Sequence, residues 1–213
     1  MKIDVIFADR DIIVVNKAAG TLVHRAPGHD EESIADALVK RYPDMVGVGS
    51  KERPGVVHRL DMGTSGVMVF ARNRNAYLAL RRQFESHQTV EKTYLAVVHG
   101  RPGRKSGTID TTVGRDRLSA VTHWLVLGSH DGMSLVEFKI ETGRMHQIRI
   151  HASEMGCPIV GDATYGDAAK DRRMRRRATH PLLHSVELAF VHPSTGRRVV
   201  FSAQPPPDIV YAC

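Results

Sequence analysis

Apolar residues in this chain are gathered into strand-length runs separated by Gly, Pro, Asp and Asn, and three stretches carry a helical period instead. That pattern constrains the fold most. Runs of this length fall well short of the roughly 20 residues that cross a bilayer. They also do not alternate regularly with helices, as a parallel sheet of strand–helix–strand units requires. The chain is therefore expected to be α+β, with helices flanking a mixed, mainly antiparallel sheet.

Local signals fill in the outline. Residues 3–7 and 12–15 read as a hairpin around Ala8-Asp9-Arg10-Asp11. Ile34, Ala37, Leu38 and Tyr42 read as a helix stopped by Pro43, and residues 43–55 read as loop. Val56-Val57 reads as a strand stub and residues 66–71 as a buried strand. Ala76, Leu80 and Phe84 mark a helix opened by Asn73 or Asn75. Strands are expected near 92–98, 108–113, 120–127, 134–141, 184–191 and 198–203. Ile148, Ala152 and Met155 give a short helix that starts near His146 and is capped by Gly156.

With 213 residues the chain suits one domain, 1–213, that buries roughly 70% of its unfolded surface without a disulfide or metal. Its two cysteines, Cys157 and Cys213, argue against a disulfide scaffold and fit a reducing compartment. The first residues, MKIDVIFADRD, lack the apolar core of an export signal, so the protein is expected to be cytoplasmic, without a membrane partner. A formal charge of +7 favours a polyanionic partner, although simple solubility is the plain alternative.

Three segments could carry chemistry. His58-Arg59-Leu60-Asp61 and the exit Gly63-Thr64-Ser65-Gly66 form a loop held between two strands, a rigid mount for a carboxylate. Taken alone, an Arg-x-Asp is more often a surface turn. Arg149, in GRMHQIRIH, falls in the first turn of its helix, where a cation opposes the helix dipole. That placement suggests a carboxylate partner elsewhere, and Asp61 is a natural one. Tyr94, in the strand EKTYLAVV, is ordinarily packing but could offer a ring to a nucleobase. Two basic runs, Arg101–Lys105 and Lys170–Arg177, add candidates for phosphate contact.

Together HRLD…TSG, KTYLAVV and GRMHQIRIH…GCPIVGDATYG resemble the RluA-type family of pseudouridine synthases, and IIVVNKAAG and LLHSVELAFVHPSTG fit it at either end. The blocks run in order from about residue 5 to residue 208. The resemblance implies a pseudouridine synthase fold with an RNA-binding cleft, acting on rRNA or tRNA. A sequence without nucleotide-binding or metal motifs fits a reaction that needs no cofactor or metal, and a monomer is the default for a domain that recognises an asymmetric RNA fold. The resemblance also implies Asp61 as the essential carboxylate, Tyr94 against the target base, and Arg149 as the salt-bridge partner of Asp61. Arg59 would enter the space left by the flipped nucleotide, and His58, Thr64, Lys92, Arg144 and Gln147 would contact RNA. Departures are modest: no proline follows the lysine of NKAAG, and Met145 and Cys157 stand where Thr and His are common. The chain is expected to start directly with the catalytic domain, where many relatives carry an N-terminal S4 module.

The competing readings are weaker. A metal-dependent hydrolase would need clustered ligands among the 12 histidines, yet His146 and His151 are five apart and no HExxH or CxxC occurs. A non-catalytic RNA-binding module would not need Asp61, Tyr94 and Arg149 intact.

Overall fold

In chain order the strands are β1 Asp4–Ala8, β2 Ile12–Lys17, β3 Gly49–Ser50, β4 Arg53–Pro54, β5 Ser65–Ala71, β6 Glu91–His99, β7 Ser106–Val113, β8 Leu118–His130, β9 Met133–Ile140, β10 Leu183–Val191 and β11 Arg198–Ser202. The helices are α1 Ile34–Arg41, α2 Arg74–Ser86, α3 Gln147–Glu154, α4 Ala168–Arg173 and α5 Pro207–Val210, with a 3-10 turn at Pro43–Met45. The computed structural model describes residues 1–174 and 178–210, so the end of the second basic run and Cys213 lie outside the described residues. The chain divides into two compact units. One holds Met1–Val90 with Glu187–Ala203, and the other holds Glu91–Val186 with the chain end from Gln204.

The first unit has strand order β1-β2-β5-β10, with β11 on β10. The hairpin expected at the N-terminus forms as β1 and β2, antiparallel with a bulge between Val5 and Phe7. β2 pairs antiparallel with β5 from Ile12↔Ala71 to Lys17↔Gly66, and β5 is buried along its whole length. Ala76, Leu80 and Phe84 recur along α2 and join Val14, Val67, Val69 and Phe190 in one apolar core. Fully burying a Leu or Phe side chain stabilises by about 1.5–3 kcal/mol. Asn73 is the N-cap, accepting from the Ala76 amide. α1 opens on a capping box in which Ser33 and Asp36 satisfy each other's amides.

Polar groups close the ends of these strands. Asp9 accepts from the amides of Asp11 and Ile12 and from His192 Nε2 at 3.0 Å. Asp11 accepts from Asn73 Nδ2 and Ser194 Oγ. The β1–β2 turn is thereby tied to α2 and to the β10–β11 turn.

In the second unit the order is β10-β6-β9-β8-β7. β6–β9, β9–β8 and β8–β7 are all antiparallel. β9 alternates: Val136 and Phe138 are fully buried and Lys139 is exposed. Asp131 (φ +48°) and Gly132 (φ +73°) make the two-residue turn from β8 to β9, where both positions need positive φ. α3 ends in a Schellman motif: Cys157 N donates to Ala152 O and Gly156 N to Ser153 O, with Gly156 at φ +75°.

Two local expectations are corrected. Val56-Val57 is not a strand; Val56 forms only an isolated bridge to Phe70. Residues 43–55 contain the 3-10 turn and the β3–β4 hairpin. α4 and α5 carry too few apolar residues for a period to register. No helix among the described residues is long and apolar enough to cross a membrane.

Candidate active site

Asp61 stands in the loop between the Val56 bridge and β5, and its placement follows from a buried lysine. Lys17 ends β2 with 1% of its surface exposed. Its Nζ donates to Thr64 O at 2.7 Å, Met62 O at 2.8 Å and Ala18 O at 3.1 Å. All three ammonium donors are spent on carbonyls, two of them within three residues of Asp61. Asp61 O accepts the Thr64 amide at 3.0 Å and Met62 O accepts the Gly20 amide at 2.8 Å, so the loop is pinned from both sides. Leu60, Thr64 and Ser65 are buried anchors, Asp61 is half-buried, and Arg59 is exposed. Between strands the loop thus hides its anchors and turns outward its cation.

His58 is held by the same unit. Its Nε2 accepts the Val69 amide at 3.1 Å, and its ring stacks on Phe84 with centroids 4.4 Å apart and 8° between planes. An accepting Nε2 places the proton of the neutral ring on Nδ1.

Burial pulls the Lys17 ammonium down to about 7, against the opposing pull of Asp61. An unfolded chain holds that proton up to its ordinary 10.5, so between about 7 and 10.5 the unfolded state binds more protons and stability rises with pH. Urea unfolding at pH 6 and pH 9 should therefore show wild type gaining stability relative to Lys17→Met at the higher pH. A constant gap would refute the buried ammonium as the cause.

The second unit holds the rest of the expected set. Arg149 is buried, and Asp162 takes one edge of its guanidinium: Nε to Oδ2 at 2.6 Å and Nη2 to Oδ1 at 2.8 Å. Asp162 Oδ1 also accepts the amides of Thr164 at 2.9 Å and Tyr165 at 3.1 Å. Burial alone would push the Asp162 carboxyl up; Arg149 and these two amides outweigh it and hold the group below the usual carboxylate range. The guanidinium carbon lies 5.1 Å from the Tyr165 ring centroid, and the Tyr165 hydroxyl is 3.1 Å from His146 Nδ1. His146 adopts φ +57° at the start of α3, an uncommon conformation for a residue other than glycine.

Gln147 orders the turn before α3. Its Oε1 accepts from Thr142 Oγ1 at 2.7 Å and the Arg144 amide at 3.0 Å, and its Nε2 donates to Val121 O and Thr122 Oγ1. That fills the hydrogen-bonding capacity of a buried amide. Arg144 Nε donates to Ser119 O, and Lys92 Nζ to Thr142 O at 3.3 Å. Burial, with the Arg144 charge, draws the Lys92 ammonium down to about 8. Tyr94 is 7% exposed on β6, opposite Phe138.

Within the first unit the structure thus brings His58, Arg59, Asp61 and Thr64 onto one loop. Within the second it gathers Arg144, Gln147 and Arg149 around the start of α3. Sequence reasoning missed Lys17, Asp162 and Tyr165. The sequence offers only their residue types: a lysine ending the strand IIVVNK, and an aspartate and a tyrosine in the GDATYG block.

These motifs have counterparts in known proteins. The family model described as RNA pseudouridylate synthase matches residues 11–154. An uncharacterized RNA pseudouridine synthase of Bacillus subtilis, YlyB, is 39% identical over 221 residues, covering 98% of this chain and 71% of its own. Ribosomal large subunit pseudouridine synthase D of Zymomonas mobilis is 33% identical, covering 97% and 70%. The structure of human RNA pseudouridylate synthase domain containing 4 aligns with a TM-score of 0.78 at 27% identity, over 97% of this chain and 90% of that one. Agreement of sequence and fold over nearly the full length bears out the resemblance in the motifs, and the chain belongs to the RNA pseudouridylate synthase family, RluA-type.

Proposed function

We propose that this enzyme isomerises specific uridines of rRNA or tRNA to pseudouridine, with Asp61 as the catalytic carboxylate acting on a flipped nucleotide. The observation that carries the reading is the mounting of Asp61: a half-buried carboxylate on a loop whose backbone is fixed by the Lys17 ammonium. Those hydrogen bonds limit the motion of the backbone that carries the carboxylate. The name of the Zymomonas mobilis relative supports an rRNA substrate.

The reaction breaks the N1–C1′ bond of uridine, turns the base and joins C5 to C1′. C5 gives up its proton and N1 gains one, so the change is redox-neutral and the reading invokes neither a cofactor nor a metal. Flipping costs a few kcal/mol, which phosphate contacts and stacking offset. An ionised Asp61 then attacks C1′, attacks the base, or removes the 2′ proton; each route needs the charged carboxylate. In this reading Arg149, fixed by Asp162, supplies the salt bridge to Asp61, and Tyr94 packs on the base. Arg59 fills the vacated stack. Arg144 contacts RNA, whereas Thr64 and Lys92, both buried, join His58 and Gln147 in holding the backbone from which such contacts are made. Residues 1–213 work as one catalytic domain, monomeric and cytoplasmic, with RNA lying in a cleft.

The test is turnover. Purified protein is incubated with unmodified rRNA and tRNA transcripts carrying tritium at uridine C5, and released tritium is counted. Stops left by a pseudouridine-specific adduct during reverse transcription then map the site. Release with mapped stops, undiminished by a chelator, is expected. No release from either RNA class would overturn the reading, and release abolished by the chelator would restore the metal-dependent alternative.

A further inference from the structure

The two basic runs flagged in the sequence are joined in the folded chain. His99 closes β6, is 3% exposed, and its Nε2 lies 2.7 Å from Asp171 Oδ1, a residue 72 positions away on α4. The same oxygen accepts the Gly161 amide at 3.1 Å. The chain leaving β6 is fixed by hydrogen bonds from His99 N to Pro158 O and from Gly100 N to Gly132 O. Arg101 therefore begins at most about 7 Å of chain from His99. Lys170 and Arg172 flank Asp171, each one Cα step of about 3.8 Å away.

This anchoring sets the start of the run Arg101, Arg104 and Lys105 beside Lys170, Arg172 and Arg173, all exposed. Among the described residues Lys170 has an ion pair, with Asp167 at 3.4 Å. Among the described residues the other salt bridges of the second unit involve none of these cations. Like charges drawn together without counter-charges repel and lower stability. Here the pair of buried His99 with half-buried Asp171 holds the starts of the two runs together against that repulsion. A polyanion reverses the sign of the effect, because every phosphate neutralised releases condensed counterions.

We infer that the end of β6 and α4 form one phosphate-binding surface that takes the RNA backbone without regard to base sequence. The inference rests on RNA being the substrate and adds a docking surface to the residues that act on the uridine. Since none of these cations belongs to the proposed catalytic set, neutralising them should weaken binding and leave chemistry alone.

The experiment uses the full chain and a transcribed, unmodified rRNA fragment, with affinity measured from 50 to 200 mM KCl. Variants are Arg101→Gln/Arg104→Gln, Arg172→Gln/Arg173→Gln, and the four combined. Each lost contact on single-stranded RNA should reduce the slope of log K against log [salt] by about 0.7. Each pair then lowers it by about 1.4, and the set of four by about 2.8. Over this fourfold salt range, wild-type affinity should fall roughly 50-fold more than that of the quadruple variant. With the tritium assay, KM should rise while kcat stays within about twofold, and unchanged unfolding midpoints report an intact fold. A wild-type slope in either pair overturns the single surface. Because binding is read without turnover, a failed pseudouridine assay beside the expected slopes would sink the enzymatic reading alone.

Discussion

Asp61→Asn should lower pseudouridine formation by ~10⁴-fold or more, the scale on which loss of a reacting side chain acts, while the RNA dissociation constant stays within about threefold. The substitution keeps the shape of the side chain and removes its charge. An amide cannot serve as nucleophile at C1′ or as base toward the 2′ proton, so every proposed route closes. The loop should survive, because its fixed points are Lys17, Leu60 and the Thr64 amide rather than the carboxylate. A second readout follows from the same geometry. Asp61 is the charge that pulls Lys17 upward, so its loss should let the Lys17 ammonium titrate still lower. Asp61→Glu should retain part of the activity, since the charge remains but is displaced by one methylene; errors of about 1 Å can cost 10²-fold. Wild-type turnover by Asp61→Asn would remove this residue from the chemistry.

Asp162→Ala should destabilise the fold by about 3–5 kcal/mol, the cost of leaving one partner of a buried ion pair unmatched. Its side chain is fully buried and answers a guanidinium and two amides at once. Denaturant unfolding measures the loss directly; a change below about 1 kcal/mol would mean that Arg149 finds another anion or water. Asp162→Asn should fall between, because one oxygen can still accept while an amide nitrogen is set against Arg149 Nε. The pH dependence has a definite sign. A carboxyl held below its ordinary 3.8 contributes its stability fully above that pH, and the contribution fades as pH falls through the lower folded value. Wild type should therefore lose stability relative to Asp162→Ala only in strong acid.

The position of Arg149 in its helix shows how far sequence could go. A cation in the first turn of a helix pointed to a carboxylate partner, and within the second unit Arg149 has one: Asp162, which sequence reasoning did not single out. The two residues lie 13 positions apart, which hides the pair from any local rule. Lys17 was hidden similarly. In sequence it is a polar residue ending a strand, and only the folded loop supplies three carbonyls to a side chain almost closed to solvent. Gln147 and His58 were read as contacts for RNA. The folded chain spends the Gln147 amide on its own backbone and side chains, and engages His58 Nε2 with the Val69 amide.

Strand periodicity, the Asn73 cap, the Asp131-Gly132 turn and the Gly156 terminator depend on neighbours within a few residues, so the sequence alone determined the main elements and the loop bearing Asp61. Tertiary structure decided what those elements hold fixed: the burial of Lys17, the Arg149–Asp162 pair and the meeting of His99 with Asp171. The physical reason is that desolvation and ion pairing act through space. Their strength is set by which groups the fold brings within about 3 Å and shields from water, and that is written in no short stretch of chain.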